Sequence, residues 1–222
     1  MNFKPSDFFI GLMELFSIFL PGFITAFLFS QSLICAFDVK MKEPGLPTEF
    51  VFYFVTSYIG GHFIYAAGSL LFEQTLKLIG IGVITFSRSD KAMMAKAEQI
   101  MNEILNVAIG SKNEVTEKIR FTPWANTVIQ LKHPESLVGA RQYEADSKFF
   151  RSFIIVSLLG FFVSLNQDHA GLLRLFWVFI SLFSVCLYFF RKQKTICELS
   201  RIIIIMNNSG EFASMQSRQM AD

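Results

Sequence analysis

Twenty-three consecutive residues, Phe50 to Phe72, contain no Lys, Arg, Asp or Glu. A run of that length and polarity satisfies its backbone in lipid only as a helix. About 20 apolar residues in helical form cross the roughly 30 Å hydrocarbon core of a bilayer. Three further runs follow the same rule: Phe8–Phe37 holds one charge, Glu14; Phe149–Leu165 holds Arg151 near one end; and Leu172–Phe190 holds Arg174 near one end. The pattern predicts an all-α membrane protein with four transmembrane helices and a small helical cytosolic insert between the second and third. Composition agrees, because 52% of the 222 residues are hydrophobic, Phe occurs 27 times, and charged residues make up only 17%. An ordinary soluble domain carries roughly 25% charge. Mean hydropathy is +0.44. Such a chain is neither a disordered segment, nor a secreted disulfide scaffold, nor a nucleic-acid-binding surface domain.

Basic residues orient the spans. The segment 73–148 holds ten Lys and Arg and the tail 191–222 holds five, whereas 38–49 holds two and 166–171 none. The positive-inside rule places the two enriched segments in the cytosol, and an even number of spans places the N-terminus there too. The expected location is the cell inner membrane, multi-pass. Residues 1–86 carry the first pair of spans, at about 8–37 and 50–72. Residues 87–148 form the cytosolic insert, 149–190 the second pair at about 149–165 and 172–190, and 191–222 a cytosolic helix and tail. The start of the chain does not read as a cleavable signal: Pro5 and Asp7 occupy the place of a basic region, and the apolar run is too long.

Ser6 or Asp7 is expected to cap the first helix. Leu20-Pro21-Gly22 makes that span either one kinked helix, the favoured form, or an interfacial helix followed by a span. In the insert, Met93, Ala97, Ile100, Met101, Ile104, Leu105 and Ala108 recur at helical spacing within an amphipathic helix from Asp90. Ser89 or Asp90 would cap it and Gly110 stop it. Thr122-Pro123 is expected to open a short helix, and Pro134 a longer one that runs into the third span. Ile196, Leu199 and Ile202–Met206 extend the last helix as an apolar face for the insert or another subunit, with a frayed polar tail from Asn207. Cys35, Cys186 and Cys197 are expected as free thiols.

The second span holds the most informative pattern. Tyr58, His62, Tyr65, Ser69 and Glu73 recur at helical spacing and form one polar stripe. His62 lies about 18 Å along the helix from Phe50, near the middle of a bilayer. Ser57, Gly61 and Gly68 flank the stripe and allow close helix approach. Polar groups at that depth face protein or water, so the stripe either bonds neighbouring helices, lines a water-filled path, or holds a ligand. Glu14 and Arg151 are the buried ionisable candidates, and they form a plausible pair, with Glu73 at a similar level. Arg174 is expected to snorkel, and Arg191, Lys192 and Lys194 to anchor the last span at the cytosolic face.

No catalytic template or phosphate-binding fingerprint occurs, and the histidines His62, His133 and His169 fall at different depths. Neither a catalytic residue, a metal nor a cofactor is therefore expected. Ten basic against nine acidic residues in 73–148 argue against direct nucleic-acid contact. By architecture alone the chain resembles the small membrane effectors of bacterial antiviral defence, in which a cytosolic part receives a signal and the spans alter permeability. That resemblance implies a homo-oligomer in the lipid bilayer that forms or gates a permeation path, with a soluble cytosolic partner. The alternative is a non-conducting anchor or scaffold that recruits its partner through Met93–Ala108 and the C-terminal helix. A transporter or intramembrane enzyme is a third reading.

Overall fold

The computed structural model describes residues 5–30, 47–79, 87–109, 119–165 and 171–212. Of these, 94% are helical and none lies in a strand. In chain order the helices are α1 (Pro5–Leu28), α2 (Pro47–Ile79), α3 (Arg88–Ile109), α4 (Phe121–Lys132), α5 (Val138–Leu165) and α6 (Gly171–Asn208), with a 3-10 turn at Pro134–Leu137. Among the described residues, three stretches are long and apolar enough to cross a membrane: Phe50–Leu71, Pro134–Leu165 and Gly171–Asn208.

Of the first apolar run, expected to span 8–37, the described residues hold the helix α1 to Leu28, with Leu15–Leu28 an apolar stretch within it. Positions 31–46, including Cys35, lie outside the described residues. Pro21 sits inside α1 without ending it, and Thr25 Oγ1 donates to the Pro21 carbonyl at 3.0 Å. Ser6 and Asp7 lie within α1 rather than before it.

The chain folds as two units. The first comprises Met1–Gly82 and Ala145–Arg191, and the second Val83–Glu144 and Lys192–Asp222. In the first unit α1 and α2 cross at backbone distance. A Cβ on Gly22 would fall on the Ser57 carbonyl and 2.5 Å from the Gly61 nitrogen, and one on Gly61 would fall on the Ile18 carbonyl. Only glycine permits that approach. Ser57, Pro21 and Ala26 are buried at the crossing, and Phe19 meets Phe54 with ring centroids 4.9 Å apart. Between α5 and α6 the contact is of another kind: Gly160 seats the Trp177 indole, and a Cβ there would lie 2.5 Å from that ring.

The second unit has a conventional apolar core. Ala97, Ile100, Met101 and Leu105 of α3 meet Phe121, Ala125 and Ile129 of α4 and Leu199, Ile203 and Met206 of α6. Helix α3 begins at Arg88, earlier than the expected cap, with the Lys91 amide on the Ser87 carbonyl. Asp90 therefore sits in the first turn, where a carboxylate favours the helix dipole; Gly110 lies outside the described residues. Helix α4 also begins earlier than Thr122, at Phe121, with Arg120 before it making no side-chain cap bond.

The tail corrects a further expectation. Asn207 onward does not fray over the described residues. Gly210 adopts φ 78°, the Glu211 amide bonds the Met206 carbonyl, and the Gly210 amide bonds the Asn207 carbonyl. This is a Schellman turn, closed by the residue that tolerates a left-handed backbone. It returns Phe212 to the core, where it is 4% exposed. Glu211 Oε2 lies 2.8 Å from His133 Nε2. The ionised carboxylate can only accept, so the imidazole donates, and that bond is the main reason the Glu211 carboxyl titrates below its usual range. A depressed folded-state value means the contribution is present above the unfolded pKa, about 4.3. It is lost as pH falls through the folded value. The protection of the 209–212 amides, taken relative to intrinsic exchange, should therefore fall on acidification below the usual carboxylate range, and Glu211→Gln should remove that step; a Gln variant with the wild-type pH profile would refute the clasp.

Candidate functional site

The polar stripe of α2 divides into two halves with different surroundings. Towards the C-terminal end of the span, Tyr65 and Ser69 are half-buried. The Arg151 guanidinium of α5 lies 5.0 Å from the Tyr65 ring centroid, within cation–π range. Arg151 is 7% exposed, although it belongs to an otherwise apolar run. Gly68 lies against it, and a Cβ there would meet Arg151 Cγ at 3.4 Å, ordinary van der Waals contact. A charged side chain inside an apolar helix pair is costly, and the face of an electron-rich ring offsets part of that cost, up to about 2 kcal/mol when desolvated. The side chains of Glu14 and Glu73, the carboxylates expected near Arg151, lie outside the described residues.

Towards the N-terminal end, Tyr58 is 44% exposed and His62 is also exposed. Their rings meet edge-on at 4.6 Å. The face that α2 buries is instead Ser57, Gly61, Ile64 and Gly68. The structure thus brings Tyr65 to Arg151, and leaves Tyr58 and His62 on the outer surface of the first unit.

Arg174 and Arg191 are positioned more specifically than the sequence suggests. Rather than simply snorkelling, Arg174 donates from Nε to the Ser164 carbonyl at 3.1 Å and from Nη2 to the Leu165 carbonyl at 3.3 Å. Carbonyls in the last turn of a helix lack intrahelical partners, so a cation there serves both hydrogen bonding and the dipole. Arg191 Nη1 lies 3.3 Å from Asp146 Oδ2, beside a cavity of about 240 Å³ lined by Phe16, Phe149 and Phe150. Neither contact was apparent from spacing, because both join residues on different helices. The serines of α5 mostly serve their own backbone: Ser152 bonds the Lys148 carbonyl, Ser157 that of Ile154 and Ser164 that of Phe161. No cluster of three metal-ligating side chains occurs among the described residues.

These features define a class: an all-helical protein with helices long enough to span a membrane, carrying a buried arginine and a half-exposed polar stripe within apolar helices. No protein-family model, no curated protein and no solved structure matches the chain.

Proposed function

We propose that the chain is a four-span inner-membrane protein, with both termini cytosolic, that self-associates and forms or gates a permeation path under control of a cytosolic partner or signal. In architecture it is like a membrane effector of bacterial antiviral defence. One observation carries the reading: the polar residues of α2 lie within its most apolar stretch, yet Tyr58 and His62 are not used in packing the first unit. Polar groups at that depth are expensive to leave facing lipid, so a role beyond packing within one copy accounts for them best. The buried Arg151 against Tyr65 adds a second polar point on the same helix.

The anchor reading would recruit a partner through Met93–Ala108. Ala97, Ile100, Met101 and Leu105 from that stripe are already buried in the second unit's core, which weighs against it. The test is dye release from cells or vesicles carrying the full-length protein. Replacing His62 and Glu73 together with Leu should abolish release at equal membrane abundance; undiminished release would remove the stripe from the mechanism.

A further inference from the structure

We infer that Tyr58 and His62 form the seam along which two copies of this chain meet in the membrane. The inference rests on the self-association proposed above and names its contact. Within the first unit, α2 faces α1 through Ser57 and Gly61 and faces Arg151 through Tyr65 and Gly68. Tyr58 and His62 belong to the same stripe as Tyr65 but remain exposed. Around them the exposed surface is apolar: Phe54 is 49% exposed, Ile59 50% and Phe63 72%. The two rings, 4.6 Å apart, are therefore a polar island on a surface otherwise suited to lipid.

A second copy is the occupant whose chemistry fits. Lipid tails offer the phenol and the imidazole no hydrogen-bond partner, and leaving both unsatisfied is unfavourable. Copies inserted in one orientation carry the same residues at the same depth. The four-residue spacing of Tyr58 and His62 corresponds to only about 6 Å of helix rise, within side-chain reach. Phenol and neutral imidazole each hold one donor and at least one acceptor. A two-fold axis along the membrane normal thus lets Tyr58 of each copy bond His62 of the other, a self-complementary arrangement. An unrelated partner would have to present a matching donor and acceptor at that same depth.

The experiment follows association of labelled full-length protein in lipid vesicles by energy transfer, across a series of protein-to-lipid ratios. Tyr58→Phe with His62→Leu should weaken association by about tenfold, the effect of losing two interhelical hydrogen bonds. Tyr58→Phe alone keeps the ring and its fold, and should give an intermediate loss. Phe63→Leu, on the adjoining apolar surface, should leave association unchanged. Association of the double variant as tight as wild type overturns the seam, and so does a wild type that stays monomeric at every ratio. Dye release measured on the same vesicles separates the two ideas. A wild type that associates through the pair but releases no dye refutes the permeation reading and leaves the seam standing. A double variant that associates normally but releases no dye does the reverse.

Discussion

Replacing Gly61 with Ala is expected to separate α1 from α2, while the same change at Gly60, one residue away, leaves the pair intact. A Cβ on Gly61 falls on the Ile18 carbonyl and lies 2.9 Å from its carbon, whereas a Cβ on Gly60 meets nothing within 4 Å. Overpacking typically costs 1–3 kcal/mol when side chains can adjust. The obstacle here is main chain, which cannot rotate away, so the cost should sit at the upper end, about 3 kcal/mol. Gly60→Ala should instead be neutral or gain up to about 1 kcal/mol from better helix propensity. Thermal unfolding in detergent reads both. Equal midpoints for the two variants would mean that the helices do not cross at Gly61. Gly22→Ala should repeat the Gly61 result, because its Cβ meets the same crossing from the other side.

The second large effect belongs to Leu199, fully buried among α3 and α4 side chains. Leu199→Ala should cost about 2–5 kcal/mol through lost burial and the cavity left behind. Leu199→Asp should cost more and unfold the second unit, since an unpartnered carboxylate would enter an apolar core. Ile205, on the same helix but 57% exposed, should accept Asp with little change. Limited proteolysis at the exposed Lys96 and Lys132 provides the readout. Those helical sites should be cut rapidly in Leu199→Asp and stay resistant in Ile205→Asp. Similar cleavage of both variants would dismiss the core as described.

What could be read from the chain was whatever one helix settles by itself. An uncharged run such as Phe50–Leu71 has one way to satisfy its backbone in lipid, and the 3.6-residue recurrence of Ala97, Ile100, Met101 and Leu105 marks a buried face. Pro134 likewise announces helical structure, opening the 3-10 turn that leads directly into α5 at Val138. Pairings between helices left no such mark. Gly22 looked like part of a proline interruption, yet its role is to admit the backbone of α2. The polar letters after Asn207 suggested a loose end, because a Schellman turn needs only one glycine and a buried residue beyond it, here Gly210 and Phe212. For the stripe, periodicity established that five residues share a line. It could not tell that Arg151 would cover Tyr65 while Tyr58 and His62 stayed outside, since that depends on where α5 runs.

Arg174 also acts as a latch across one end of a helix pair. Its guanidinium rests on the Ser164 and Leu165 carbonyls. Those acceptors converge only once the last turn of α5 has formed. The start of α6 is therefore held by a feature that exists only when α5 is complete, and a fault in the final turn of α5 would be felt first at the opening of the helix that follows it.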